Sequence, residues 1–429
     1  MFKGMILGEK RINKISGPVS IFMLKPNKDF FKSVKQENNH IPIMLLFGDT
    51  HFSNSDQCPD CKCDEDSESC CYHVYSTNFL QLLNKYSTKE HCIDFYMEFY
   101  LQSELKKSGL LSKSNDDKIE YFEKRRNEKS ITPMKLLREH ILACYYTELD
   151  VNSDLFKKYC PASNINWKYA DLRQSVEDIT KYAKSVYEFL CYHIFTLYDE
   201  TEENNSFYDN YTTDIYSMYN KLISEDELSI LFETISSLLK SPTDFINIFF
   251  KTKNSLYVNR SILYTSIKQQ SEYVKENLLY NICFEFISSY FQITSKLYKT
   301  EMAYLSLFFH YASLCKTKSE LDILIHQNNL SNSFPEQDIV EDIGLNLTIF
   351  FLDLYYIFDS FNSTKTFLSI GYFGSKHQNI IRDVLVNKLH LYEDVSENSS
   401  SNSIKKRCQD LSCINWDLVE IAKEYNGEF

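Results

Sequence analysis

Two histidines, each three residues after a glycine that closes an apolar run, give this chain its most direct route to chemistry. The first run, Ile41 to Phe47, stops at Gly48-Asp49-Thr50-His51. The second begins at Phe367 and stops at Gly374-Ser375-Lys376-His377. A neutral imidazole can serve as a general base or a metal ligand, and Asp49 adds a carboxylate two positions before His51. Gly48 would let the backbone turn sharply or approach a ligand. Glu98 sits in the strand-forming run Ile93 to Tyr100. Burying a lone carboxylate is expensive, so Glu98 needs an arginine, a metal, or water at a strand edge. Arg173, at the end of Ile165 to Arg173, can pair locally with Asp171, clamp an anion or partner Glu98. Arg260, in Tyr257-Val258-Asn259-Arg260-Ser261, is a second arginine of interest.

The densest set of soft ligands lies between the first histidine and Glu98. It comprises Cys58-Pro59-Asp60-Cys61-Lys62-Cys63 and Cys70-Cys71-Tyr72-His73. Cys58, Cys61 and Cys70, with either Cys71 or His73, provide the four donors of a structural zinc, within a shorter loop than the commonest finger patterns enclose. A disulfide-stapled loop and a reduced, solvated insertion are the alternatives. The acidic residues Asp60, Asp64, Glu65, Asp66 and Glu68 then form a solvated face.

These groups need a scaffold, and the hydrophobic pattern suggests one. Apolar runs such as Ile41 to Phe47 suit central strands of an α/β sheet, where ligands sit beyond the carboxyl ends. Pro18 to Leu24 reads as a strand forming a hairpin with the first histidine strand. From about Ser175 the period turns helical, with amphipathic segments at Val176 to Leu197, Asp226 to Leu239 and Val274 to Cys315. A further apolar helix, Glu341 to Phe361, feeds the second histidine strand. Gln378 to Leu389 follows as a helix, so that His377 stands at a helix N-terminus, which favours neutral imidazole. The expected fold is therefore α/β: a central mixed β-sheet with flanking helices and a large helical insertion. The expected organisation has the first part of the core over 1–174 with a Cys-rich insertion at 56–73, a helical cap over 175–335, the second part of the core over 336–395, and a linker and tail over 396–429.

A formal charge of −13 argues against a surface that wraps nucleic acid. Neither a phosphate-cradling P-loop nor a G-x-G-x-x-G is present. The thirteen cysteines are odd in number and the first ten residues hold no long apolar segment, which points to an intracellular, reducing compartment. Leu345 to Phe358 is too short for a membrane span and carries Asp353, so a buried helix is expected.

In their order along the chain, Gly48-Asp49-Thr50-His51, Glu98, Asp171-Leu172-Arg173, the helical stretch carrying Arg260, and Gly374-Ser375-Lys376-His377 resemble the superfamily of TraB, Tiki proteases, erythromycin esterases and ChaN haem-uptake proteins. The likeness covers roughly residues 41 to 395. It implies an active centre of His51, Glu98 and His377, with Arg173 and Arg260 holding an anionic or carbonyl group and Asp49 in a substrate-binding role. A small molecule or peptide would be hydrolysed there, with a Zn, Mn or Co ion held by His51, Glu98 and His377 or without a metal. The cysteine cluster departs from that family's pattern. The composition, rich in Tyr, Phe, Asn, Lys, Ile and Ser, resembles that of a large-DNA-virus protein, implying a cytoplasmic or virion-associated location. Two rival expectations stand beside the hydrolase. One is a non-catalytic, virion-associated or interaction protein whose acidic helical insertion serves a protein partner. The other is a calcineurin-like metallophosphoesterase, suggested by Gly48-Asp49-Thr50-His51 but lacking that family's Gly-Asp-x-x-Asp and Gly-Asn-His segments.

Overall fold

The computed structural model describes residues 4–7, 10–35, 41–50, 58, 61, 70–89, 91–98, 109, 112–126, 132–146, 149, 153–170, 225–251, 262–330, 335–363, 365–396, 408–411, 415–417 and 420. Eleven strands appear among these residues: β1 (Gly4–Leu7), β2 (Lys10–Ser16), β3 (Ser20–Pro26), β4 (Ile43–Asp49), β5 (Cys70–His73), β6 (Cys92–Met97), β7 (Asn166–Tyr169), β8 (Thr366–Gly374), β9 (Tyr392–Asp394), β10 (Cys408–Asp410) and β11 (Asn415–Asp417). All belong to one of the two compact units into which the chain divides, formed by 1–171, 271–273 and 356–429.

Six strands make a mixed sheet in the order β7-β6-β8-β4-β3-β9. Its centre is parallel, β4 and β6 both running alongside β8, and the hairpin partner β3 and then β9 add antiparallel strands on one side. Every residue of β4 and β8 is buried, as apolar runs in a covered parallel sheet should be. The architecture is thus α/β, with a mixed sheet, flanking helices and a helical insertion. The strands β1, β2, β5, β10 and β11 form a second, five-stranded sheet absent from the sequence expectation. In it β10 pairs with β2 and β11 with β1, so described parts of the segment read as linker and tail are sheet.

Strand alternation separates two environments. Ile93, Phe95 and Met97 of β6, Leu368, Ile370 and Tyr372 of β8, and Ile43, Leu45 and Phe47 of β4 enter one apolar core. That core also takes Ile12, Ile15, Cys70 and Tyr72 of the smaller sheet, and Phe79 and Leu83 of helix Thr77–Tyr86. The opposite parity of the same strands carries Asp94, Tyr96, Ser369, Gly371 and Phe373. Tyr356 packs on that face, its ring 4.9 Å from Tyr96 and 5.0 Å from Phe373.

The second unit, 172–270 and 274–355, is helical where described. Helix Glu225–Lys240 packs on the long helix Leu279–Leu314 through reciprocal bonds: the Ser236 hydroxyl donates to the Ser306 carbonyl (2.8 Å) and the Ser306 hydroxyl to that of Ser236 (2.9 Å). The long helix kinks at Tyr298, whose hydroxyl donates to Asp342 at 2.7 Å. Residues Asp338–Asn362 are long and apolar enough to cross a membrane, yet 71% of the most apolar window is buried. Asp353 within it is fully buried and accepts a hydrogen bond from the Tyr290 hydroxyl at 2.5 Å, which answers the cost of a carboxylate in an apolar helix.

Candidate functional site

β4, β8 and β6 are neighbours and run in the same direction, so their carboxyl ends open on one edge of the sheet. Register pairs Asp49 with Gly374, which sets the described start of the first glycine-to-histidine motif, Gly48 and Asp49, beside the glycine that opens the second. Glu98 follows directly on β6, and its carboxylate takes the Gly374 backbone N–H at 2.7 Å. Helix Ser375–Arg382 starts one residue later, so the negative charge meets the positive end of a helix. His377, in the first turn and 3% exposed, presents Nε2 to Glu98 Oε1 at 3.7 Å. The Phe373 ring stands edge-on to its imidazole, 6.4 Å away.

The neighbouring Gln378 fixes where that turn sits. Its side-chain amide donates to the Leu46 carbonyl at 2.6 Å, and its carbonyl accepts from the Ser20 hydroxyl. A Cβ at Gly48 would collide with both Gln378 and Ser20. The close approach that Gly48 permits is therefore to the protein's own side chain and not to a ligand. Asp49 is 1% exposed, and its Oδ1 accepts the Thr50 N–H at 2.7 Å. Of the residues named from the sequence, Asp49, Glu98 and His377 lie at this edge, while His51, Arg173 and Arg260 lie outside the described residues.

Further along the same face of β6 is a charged cluster that the sequence reading passed over. Lys168 of β7 lies opposite Tyr96 in register, with its ammonium 2.9 Å from Asp94 and 2.8 Å from Asp359. The Tyr96 hydroxyl donates to Asp359 at 2.7 Å, and the Asn166 amide donates to Asp94 at 2.9 Å. Burial drives the Tyr96 pKa well above the ordinary tyrosine value, and the charges of Asp359 and Asp94 add to it. For Lys168 burial acts downward, but Asp359 and Asp94 outweigh it and hold the pKa above the usual lysine value. The cluster is thus a fixed cation between two anions. Its signal was in the sequence: in Ile93-Asp94-Phe95-Tyr96-Met97-Glu98 the side chains with polar atoms fall on every second position, the signature of a strand with one polar-lined face.

Cys70 and Cys71 of β5 and Cys408 of β10 stand on the smaller sheet. Cys58 is disulfide-bonded to Cys408, Cys61 to Cys71, and Cys144 to Cys160. The sulfurs of Cys58, Cys61 and Cys71 all lie within 4.8 Å of one another, a grouping that could hold a metal ion. Cys70 does not join them. Successive residues of β5 face opposite ways, and Cys70 is a disulfide-bonded member of the apolar core. His73, the other candidate, stacks on Tyr75 with ring centroids 5.1 Å apart. Burial lowers its pKa.

Among the described residues a cleft of about 470 Å³ opens in the helical unit, lined in part by Glu233, Lys240, Asp244 and His310. It contains none of the residues proposed from the sequence for a catalytic, substrate-binding or metal role. No protein-family model matches the chain, nor does any curated protein or solved structure.

Proposed function

We propose that the chain is a hydrolase of esterase or peptidase type, acting at the carboxyl edge of the mixed sheet with Glu98 and His377 at its centre. The observation that carries this reading is the meeting of those two residues, 279 positions apart in the chain, at the ends of adjacent parallel strands. Ligands of open α/β sheets bind at such edges. His51, two residues beyond Asp49, is the third member of the centre, and Arg173 is the group that steadies a developing oxyanion. In the metal-free form a histidine takes the proton of the attacking water, with Glu98 orienting His377.

Glu98 and His377 also suit two of the donors to a Zn, Mn or Co ion. The 3.7 Å between His377 Nε2 and Glu98 Oε1 exceeds a hydrogen bond. It approaches the separation of about 3.4 Å between two N/O donors sharing a tetrahedral ion. Such an ion would supply a water that ionises near neutral pH. The cysteine group is a separate, structural zinc site in this reading. A non-catalytic interaction protein is the second reading, favoured by the near-complete burial of Asp49 and His377.

A panel of ester and peptide substrates, assayed with Zn, Mn and Co and without added metal, separates the two. Wild type should hydrolyse at least one class. Glu98→Gln and His377→Asn should each lose roughly 100-fold or more of that rate while still unfolding cooperatively. Hydrolysis absent from the wild type under every condition rejects the enzyme, and hydrolysis retained in both variants rejects Glu98 and His377 as its centre.

A further inference from the structure

We infer that Cys408 is the fourth ligand of the cysteine site, so that Cys58, Cys61, Cys71 and Cys408 hold one zinc ion as thiolates and form two disulfides when oxidised. The inference rests on the structural-zinc reading and replaces Cys70 in the set expected from the sequence. Three observations lead to it. Ser16 of β2 pairs with Cys408 on one side and with His73 on the other, and Lys14 pairs with Cys71, so Cys408 and Cys71 stand on neighbouring strands flanking β2. Ile15 and Tyr72, of the opposite parity, point into the apolar core, which leaves Ser16, Cys71 and His73 on the other face. Cys58 is anchored over that face by its backbone N–H, which donates to the Ser16 hydroxyl at 3.1 Å, and its sulfur is bonded to that of Cys408.

Two disulfides whose only function was to staple loops would have no cause to converge. Here Cys61–Cys71 lies against Cys58–Cys408, with three of the four sulfurs within 4.8 Å of each other and the fourth bonded to one of them. Sulfurs around a tetrahedral zinc stand about 3.8 Å apart, a spacing close to the 4.8 Å within which those of Cys58, Cys61 and Cys71 already lie. The Cys58-x-x-Cys61 spacing is the usual knuckle that turns two thiolates toward one ion. Cys144–Cys160 forms an internal comparison, since it is disulfide-bonded in the same unit but lies outside the metal-capable group.

The interconversion balances. Two molecules of a dithiol reductant each give two electrons and two protons, opening the two protein disulfides to four thiols and leaving as two cyclic disulfides. Zinc then displaces four protons and forms the tetrathiolate.

The test uses the full chain, reduced with dithiothreitol, freed of reductant under argon and titrated with Co²⁺ and with Zn²⁺. One ion per chain is expected, with a cobalt spectrum of four thiolates. Alkylation followed by peptide mapping should find Cys58, Cys61, Cys71 and Cys408 protected by zinc while Cys144 and Cys160 react. Cys408→Ser should weaken zinc roughly 100-fold or more, and Cys70→Ser should leave it unchanged. No metal bound by the reduced wild type sinks the structural-zinc reading and this inference together. A three-thiolate spectrum with Cys408 alkylated, or zinc retained in Cys408→Ser but lost in His73→Asn, overturns Cys408 alone. The wild-type spectrum and protection map decide the matter even if Cys408→Ser does not fold.

Discussion

Replacing Lys168 by Met would leave Asp94 and Asp359 facing each other without their shared cation. Asp94 is the costlier loss: its side chain is 1% exposed, whereas those of Lys168 and Asp359 are 27% and 21% exposed. Removing one partner of a fully buried pair costs about 3–5 kcal/mol, and the water reaching Lys168 and Asp359 reduces that to about 2–3 kcal/mol. Asp94 keeps only the Asn166 amide, and Tyr96 keeps its bond to Asp359. Adding Asp94→Asn to Lys168→Met removes the stranded charge and should return about 1 kcal/mol, so the two changes couple with a sign that contact loss alone does not give. Trp167 reports on this directly, since it lies beside Lys168 on β7 with its ring 4.8 Å from Phe95. Urea unfolding followed by Trp167 emission, in a Trp416→Phe background, measures each variant. A loss below about 1 kcal/mol for Lys168→Met, or a double variant no more stable than the single one, would refute the picture of a desolvated cation between two anions.

Gly48→Ala should cost about 1–3 kcal/mol, because the new methyl group meets Gln378 and Ser20 and must break the bonds that seat the His377 turn. Thermal unfolding checks it, and a variant as stable as wild type would mean the turn relocates freely. The His73 pKa is lowered by burial, so the unfolded chain takes up a proton that the folded chain resists. Its contribution is therefore present above the unfolded histidine value near 6.5 and is lost as pH falls toward the folded value. His73→Asn should flatten the stability profile below pH 6.5, and chemical denaturation at a series of pH values would expose an unchanged slope. Separating Cys144 from Cys160 by the double change to Ala opens a loop of 16 residues, with an expected loss of about 3 kcal/mol under non-reducing conditions. Equal stability before and after would place those sulfurs outside the energetics of the fold.

The mixed sheet was legible because Ile43 to Phe47 of β4 is an uninterrupted apolar run and β8 is apolar apart from Thr366, Ser369 and its glycines, a pattern that suits a covered strand. The Gly374-to-His377 step was legible for a related reason: a strand that ends in glycine and leads into an amphipathic segment marks the edge where a helix begins. The smaller sheet was not. Its β10 and β11 have three residues each, and nothing in Cys408-Gln409-Asp410 favours an extended chain by itself; pairing with β2 and β1 imposes it. For the same reason Cys70 looked like a ligand and Cys408 did not. Spacing along the chain favoured neighbours, while strand parity turned Cys70 inward and sheet register brought Cys408 in. Lys168 escaped notice because a single lysine in a short strand reads as solvent-facing until Asp94 and Asp359 are known to surround it.

The five-stranded sheet also has a history in time. Its strands β1 and β2 leave the ribosome well before β10 and β11, which pair with them and follow only after the chain from 17 to 407 has been synthesised. At 5–20 residues per second that interval is roughly 20–80 s. Throughout it β1 and β2 form a hairpin whose outer edges lack these two partners, the kind of edge that recruits neighbouring chains. The helical unit, contained within 172–355, has no such wait and can be complete while the sheet is still open. Production of this protein should therefore respond to translation speed and to chaperones that shield strand edges, and a stall just before residue 408 would hold that edge open.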